Sequence, residues 1–196
     1  SLWGAVKDNL ILSEYERCGI HLPDFNGTVV DAGAHVGLFS LRAAPYASNV
    51  IAIEPHPMMA KLLKLNLRTN AIQNVAVLQK ALWGLEGEVI LETRAYGVPS
   101  VATGMEAAGD WVETVTLEQL IDLSGPIALL KLDIEGAEFE VISRARSSAL
   151  SNVQAIVAEL HLRGREERVG DFRQAMRWLT SVVHFKVVKP GNPVSY

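Results

Sequence analysis

From residue 28 onward, short apolar runs rich in Val, Ile and Leu alternate with segments of helical periodicity. A strand buried on both faces is apolar throughout, and parallel neighbours need a helical crossover between them. The alternation therefore predicts an α/β fold with a mostly parallel sheet and helices on both faces. The predicted strands cover residues 28–31, 49–54, 75–79, 127–133 and 153–159, with antiparallel edge strands at 182–188, and the predicted helices cover residues 37–44, 57–69, 116–123, 137–145 and 171–179.

One segment departs from this alternation. Polar and apolar residues alternate over 88–92, and glycines stand on both sides at Gly84, Gly87 and Gly97. Alternation with a period of two between glycine turns is typical of an antiparallel pair, so residues 82–103 are predicted to form a β-hairpin insertion.

Two helices carry clear local signals. Thr116, followed three residues later by Gln119, predicts a capping box at a helix start. The helix at residues 57–69 begins with Pro, and we expect it to pack through an apolar side formed by Met58, Leu62, Leu65 and Leu67.

The composition limits the class of protein. With 49% hydrophobic and 20% charged residues, the 196-residue chain fits one globular domain at residues 28–196, preceded by a helical or cap segment at residues 1–27. The net charge of -4 disfavours general nucleic-acid binding. With a single cysteine, Cys18, and neither a signal peptide nor a membrane span in sight, we expect a cytoplasmic protein without membrane association. Because the chain starts at Ser1 rather than Met, we expect a piece of a longer protein, in which a fused or partner domain can take part.

A glycine turn follows the first predicted strand. The segment from Asp31 to Gly37 reads DAGAHVG and leads into a helix, as at the ligand-binding turn of a Rossmann-like sheet. A dinucleotide fingerprint that begins at Gly33 would need glycines where this chain has His35 and Leu38. The pattern therefore disfavours NAD and favours a ligand without phosphate, such as S-adenosylmethionine.

The same region supplies polar groups that suit such a ligand. Asp31 and the backbone of Gly33 offer acceptors for the ammonium group of the amino-acid end. Glu54 ends the second predicted strand, where an acid can accept hydrogen bonds from both ribose hydroxyls. His56 follows Glu54 and either covers the adenine or lies on the surface. The alternative is that Asp31 and Glu54 are a helix cap and a surface acid.

Taken together, these motifs and those that follow resemble the FkbM-type methyltransferases, within the class I S-adenosylmethionine-dependent fold. The resemblance covers about residues 28–161, and it implies a Rossmann-like, mostly parallel seven-stranded sheet and O-methylation of a hydroxyl on a sugar, polyketide or other secondary metabolite. It also adds Ala81 to the predicted cofactor-binding residues. The motifs that carry the resemblance are DAGAHVG (31–37), EPHP (54–57) with Leu63, Asn66 and Asn70, Ala81-Leu82 with Gly87, Thr116-Leu117, LLKLDIEGAEFEVI (129–142) and Glu159-Leu-His161.

A second polar cluster follows the apolar strand at residues 127–133. Asp133 ends that strand, and Glu159 and His161 lie two residues apart on the strand predicted beside it, so the three are expected to converge. We predict that His161 is the general base, that Asp133 orients the acceptor hydroxyl and that Glu159 fixes the imidazole or binds substrate. An alternative has all three bind a divalent metal. Lys131 is interpreted as a snorkelling residue or the partner of an acid, and Glu138 as a cap, a surface partner or a substrate ligand.

The combined prediction is an S-adenosylmethionine-dependent O-methyltransferase acting on a small hydroxylated molecule. Two other classes stay open, an NAD-binding dehydrogenase-like Rossmann protein and a ligand-binding domain of the same fold without turnover. The acceptor pocket is expected from variable segments at residues 1–27, 94–111 and 163–171.

Overall fold

The structure, a computed structural model, describes residues 19–93, 99–102 and 109–159. In the described residues, the 3₁₀ turn Leu22–Asp24 precedes the first strand. The strands are β1 (Thr28–Ala32), β2 (Asn49–Ile53), β3 (Val75–Leu78), β4 (Ala81–Leu82), β5 (Glu88–Thr93), β6 (Pro99–Ala102), β7 (Asp110–Val115), β8 (Ile127–Leu132) and β9 (Val153–Ala158). The helices are α1 (Leu38–Ala43), α2 (Pro57–Thr69), α3 (Leu117–Ser124), α4 (Glu138–Arg144) and α5 (Ser147–Leu150).

The main sheet has five strands in the order β3-β2-β1-β8-β9, and every neighbouring pair is parallel. β1 and β8 are buried along their whole length, as strands with helices on both faces must be. The chain moves outward from β1 to β2 and β3, then returns to place β8 on the other side of β1. The strand order therefore reverses between β1 and β8, where open α/β sheets bind ligands beyond the carboxyl ends of their strands.

The α/β prediction is confirmed, and five strands of the main sheet lie among the described residues. The predicted helix at 171–179 and the edge strands at 182–188, which the seven-strand count requires, lie outside the described residues. The helix predicted at residues 57–69 has those bounds. The bounds of the other described helices that were predicted, and of the main-sheet strands, differ from the predicted bounds by no more than one residue.

The insertion is larger than a hairpin. The predicted antiparallel pair forms between β5 and β6, with Leu91 opposite Val101. β7 lies antiparallel on the other edge of β5 and pairs in parallel with the short strand β4, which gives a second sheet in the order β4-β7-β5-β6. The hairpin prediction missed β7 because β7 pairs with β5, from which it is separated along the chain by β6.

The apolar side predicted for α2 was largely wrong. Three residues of the predicted side, Met58, Leu62 and Leu65, are 55%, 37% and 48% exposed. The helix packs instead through Ala60, Leu63 and Leu67, and only Leu67 belongs to the predicted set. Both sets have helical spacing, so periodicity alone permits either. α2 approaches the glycine turn through Leu63, since a Cβ on Gly37 would lie 2.6 Å from Cδ1 of Leu63, and this contact selects the set that contains Leu63.

The capping box of α3 is present as predicted. The Thr116 hydroxyl accepts from the backbone N–H of Gln119 at 3.3 Å, and the Gln119 side chain accepts from the backbone N–H of Thr116 at 3.0 Å.

At the start of the described chain, Leu22 and Phe25 pack in one buried cluster with Val29, so both residues are part of the same core as β1. In the described part of the chain, no helix has the length and apolar character needed to cross a bilayer.

Candidate active site

The glycine turn between β1 and α1 is held in place by backbone hydrogen bonds. The N–H groups of Gly33 and Ala34 both donate to the carbonyl of Ile53 at 3.0 Å, and Gly37 N–H donates to Ala34 at 2.7 Å. From α2, the side-chain amide of Asn66 donates to the carbonyl of Val36 at 2.8 Å. The turn is therefore a preformed structure anchored to β2 and α2.

Two positions in this turn require glycine. Gly33 has φ +74°, and a Cβ there would lie 1.8 Å from the carbonyl oxygen of Asp133. Gly37 has φ +88°, and a Cβ would lie 2.6 Å from Cδ1 of Leu63. Positive φ and close contact together exclude a side chain at both positions without rearrangement. The glycines of the motif thus bring the turn against β8 and α2.

Glu54 lies at the carboxyl end of β2, beside the glycine turn, and is 4% exposed. Its Oε2 accepts from the backbone N–H of His35 at 2.8 Å, and its Oε1 accepts from the backbone N–H of His56 at 2.9 Å. Burial raises the pKa of Glu54 above its ordinary value, and the two backbone donors partly oppose that rise. Each oxygen has one lone-pair direction occupied by a backbone donor, and a carboxylate oxygen can accept further hydrogen bonds.

Two other residues predicted at the cofactor lie in different settings. His56 is half-buried and caps α2, since its Nδ1 accepts from the backbone N–H of Met58 at 3.2 Å. The structure therefore gives His56 a helix-capping role at the edge of the candidate site. Ala81 is buried in β4 within the apolar cluster that also contains Trp83 and Ala137. The adenine contact expected of His56 and the cofactor contact expected of Ala81 stay predictions.

Lys131 has a larger role than the sequence analysis assigned to it. It lies on β8 with 4% exposure, and its Nζ is 3.1 Å from Oδ1 of Asp31 and 3.4 Å from Oδ2 of Asp133. The same ammonium donates to the carbonyl of Gly33 at 3.0 Å and lies 5.9 Å from the centre of the Phe39 ring. The acceptors that we expected to recognise a ligand's ammonium are thus bound by a lysine of the protein.

Asp31 itself is wholly buried. Besides its ion pair with Lys131, it accepts a hydrogen bond on Oδ2 from the Ser40 hydroxyl at 2.6 Å. A buried carboxylate needs such partners, because its desolvation is costly. Ser40 lies on α1, so Asp31 also attaches that helix to the end of β1.

The second predicted cluster begins where β8 and β9 end side by side. Asp133 follows β8, its side chain is 29% exposed, and its N–H donates to the carbonyl of Ala32 at 3.2 Å. Glu159 follows β9, is exposed, and donates its N–H to the carbonyl of Leu132 at 2.9 Å. Asp133 and Glu159 therefore lie at adjacent strand ends on the same edge as the glycine turn. His161, the predicted base, lies outside the described residues.

Glu138 stabilises the loop after β8. It is 2% exposed, and its Oε1 accepts from the backbone N–H groups of Ile134 at 3.0 Å and Gly136 at 3.1 Å. The loop needs this support because Glu135 and Gly136 both have positive φ, 54° and 99°. Glu138 therefore binds the backbone of the loop before α4. It is neither a surface residue nor the helix cap, since the N-cap of α4 is Ala137, without a side-chain cap hydrogen bond.

One signal in the sequence pointed to Lys131. A lysine inside the apolar run 127–132 has both neighbours on a buried strand, and a buried ammonium must be paired. Sequence alone did not identify the partners, because Gly33 is 98 residues away along the chain. Over the residues that the structure describes, no three His, Cys, Asp or Glu side chains are grouped so as to hold a metal ion.

The fold is that of a class I methyltransferase. The crystal structure of methyltransferase FkbM from Methylobacillus flagellatus superposes with a TM-score of 0.53 at 17% identity, over 79% of this chain and 37% of that one. The profile of the methyltransferase FkbM domain matches residues 31–185, and the chain belongs to that family. The resemblance noted from the motifs is thereby confirmed.

A relative from Sordaria araneosa, methyltransferase sdnD, is 31% identical over 172 residues. The match covers 68% of this chain and 66% of the relative. The chain thus spans about two thirds of the length of that relative and little more than one third of the Methylobacillus flagellatus protein.

Proposed function

We propose that this chain binds S-adenosylmethionine and transfers its methyl group to a hydroxyl of a small molecule, such as a sugar, a polyketide or another secondary metabolite. Membership of the FkbM domain family supports methyl transfer. The observation that carries the cofactor assignment is Glu54, a buried carboxylate after β2 whose two oxygens are oriented by the N–H groups of His35 and His56, and β2 is the neighbour of β1, where the strand order reverses.

The donor set fits this cofactor. Glu54 is placed to accept hydrogen bonds from two adjacent ribose hydroxyls, the chemistry that an acid at the end of a second strand serves. The turn lacks the second glycine that lets a backbone approach a pyrophosphate, since His35 occupies that position. Asp133 lies across the turn from Glu54, on the acceptor side of the site.

When bound, S-adenosylmethionine supplies a methyl group on a sulfonium; transfer forms an O–C bond, breaks the S–C bond with its electron pair left on sulfur, and releases the hydroxyl proton. Asp133, half-exposed at the end of β8, accepts a hydrogen bond from the acceptor hydroxyl and aligns its oxygen. In this proposal His161 takes the proton and Glu159 orients the imidazole. A divalent metal is the less favoured version of the same acceptor site.

The acceptor is proposed to enter over the segments that vary most among α/β enzymes, and a fused or partner domain to contribute to that pocket. We keep the proposal of a cytoplasmic protein that acts on small molecules rather than on nucleic acid or membranes, on the net charge of -4 and the single Cys18.

The experiment is a calorimetric titration of the chain with S-adenosylmethionine, S-adenosylhomocysteine and NAD, followed by a radiolabelled methyl-transfer assay on a panel of hydroxylated sugars and polyketides. We expect micromolar binding of the first two ligands and none of NAD. Binding of NAD alone would overturn the cofactor assignment. Binding of S-adenosylmethionine with no transfer to any acceptor would favour a ligand-binding domain without turnover.

A further inference from the structure

Lys131 joins three parts of the candidate site. Its Nζ contacts Asp31 at the end of β1, the carbonyl of Gly33 in the glycine turn and the carboxylate of Asp133 after β8, at 3.1, 3.0 and 3.4 Å. With 4% exposure, the ammonium has little water around it, so these charged and carbonyl oxygens replace its hydration. The contact with Gly33 is a charge-assisted hydrogen bond, stronger and more directional than a neutral one, and the contacts with Asp31 and Asp133 are ion pairs.

Through its contacts with Gly33 and Asp133, Lys131 connects two segments that lie on different sides of the candidate site. On the proposed function, the glycine turn lies against the methyl donor, whereas Asp133 faces the acceptor hydroxyl. A second link between the same segments is backbone packing, since a Cβ on Gly33 would lie 1.8 Å from the Asp133 carbonyl oxygen. Lys131 contacts the carbonyl oxygen of Gly33 and the carboxylate of Asp133.

We propose that Lys131 is a positioning residue that holds the glycine turn and Asp133 in one relative geometry, so that donor and acceptor sides of the site stay aligned. The assignment of the glycine turn to the methyl donor and of Asp133 to the acceptor hydroxyl rests on the proposed function. The proposal also changes the expected role of Asp31. Because Asp31 is wholly buried and already pairs with Lys131, it acts through that lysine rather than by direct contact with a ligand.

The test compares amide hydrogen exchange in the chain without ligand, so its readout does not depend on any activity. The reporting amides are hydrogen-bonded in two segments, the turn at residues 33–37 and the loop at residues 133–136. Lys131→Met removes the ammonium but leaves Asp31 buried without that cation, which can unfold the chain. The double variant Asp31→Asn with Lys131→Met removes both charges and keeps a hydrogen-bonding group beside Ser40.

We expect exchange of both segments in the double variant to rise by about tenfold or more while its melting temperature stays near that of the wild type, because charged hydrogen bonds are lost locally. Lys64→Met, at an exposed lysine of α2, is the matched control and should leave both segments unchanged. Unchanged exchange in a folded double variant, or faster exchange in only one segment, would overturn the proposal.

A second measurement tests whether the positioning by Lys131 affects ligand binding. S-adenosylhomocysteine should bind the double variant about tenfold more weakly than the wild type, since the turn is no longer held in its binding geometry. Equal affinity of the two would count against the proposal. If the wild type itself fails to bind S-adenosylhomocysteine, the proposed function fails, and the exchange measurement still decides the role of Lys131.

Discussion

Gly33 and Asp133 meet at the centre of the site: a Cβ on Gly33 would lie 1.8 Å from the carbonyl oxygen of Asp133. The neighbouring residue Ala32 accepts a hydrogen bond from the Asp133 N–H at 3.2 Å. The turn after β1 and the loop after β8 are therefore packed backbone to backbone, and a change in one displaces the other.

Gly33→Ala should destabilise the fold by about 2 kcal/mol or more, because the new methyl group meets backbone atoms and the residue must keep φ +74°. Urea denaturation measures the change. Gly125→Ala is a matched control, since Gly125 has φ +73° with no atom within 4 Å of its Cβ position. Gly125→Ala should cost about 1 to 3 kcal/mol from backbone strain alone, because φ +73° with ψ −158° is a conformation that essentially only glycine adopts, and Gly33→Ala should cost more. Equal losses in the two variants would contradict the close packing of Gly33.

Glu54→Ala should weaken binding of S-adenosylmethionine by about 2 to 3 kcal/mol, through the loss of charged hydrogen bonds. Isothermal titration calorimetry measures the affinity. Glu113→Ala removes an exposed acid that pairs with Lys80 at 2.9 Å, and it should bind the ligand as the wild type does. Wild-type affinity in Glu54→Ala would remove the ribose assignment.

The raised pKa of Glu54 predicts a pH dependence of stability. Because burial disfavours the ionised carboxylate in the folded state, the stability contributed by its protonated form is present below the unfolded pKa and is lost as pH rises through the folded pKa. The free energy of unfolding of Glu54→Gln, relative to wild type, should therefore increase between pH of about 4 and about 7.

The exposed acid Glu113 supplies a control of opposite sign. Its pairing with Lys80 lowers the pKa of Glu113, so the stability from this pair is present at high pH and is lost as pH falls. Glu113→Gln should thus show a small relative loss at neutral pH. A relative stability of Glu54→Gln that stays flat or falls with pH would contradict the effect of burial on Glu54.

Asp133→Asn should reduce the rate of methyl transfer by about a hundredfold while changing the affinity for S-adenosylhomocysteine less than threefold, because the neutral amide no longer orients the hydroxyl as a carboxylate does. Single-turnover kinetics with an active acceptor and calorimetry give the two values. If both quantities fall together, Asp133 belongs to the cofactor site.

Treatment with EDTA discriminates between the two versions of the acceptor site. With base catalysis by His161, methyl transfer should continue at an unchanged rate after dialysis against the chelator. With a metal bound by Asp133, Glu159 and His161, activity should disappear and return on addition of Mg²⁺ or Mn²⁺. Chelator-sensitive activity would replace the general-base assignment with the metal one.

Much of the site's position could be predicted from sequence, because it depends on local patterns. Asp31 and Glu54 each end an apolar run, and the ends of parallel strands meet at one edge of a sheet. The capping box of α3 likewise depends on Thr116 and Gln119 alone. The buried face of α2 was not predictable, because Leu62 and Leu63 both belong to stripes of helical spacing.

The sequence by itself therefore determined the order of strands and helices in the main sheet, the strand ends that carry acids, and the glycines that the turn requires. The tertiary structure alone decided which groups neutralise one another there. Lys131 reaches Gly33 across 98 residues of chain, and it occupies acceptors that local reasoning had left for a ligand. Hydrophobic periodicity is a property of neighbours along the chain, whereas the pairing of buried charges depends on distances that exist only after the sheet has formed.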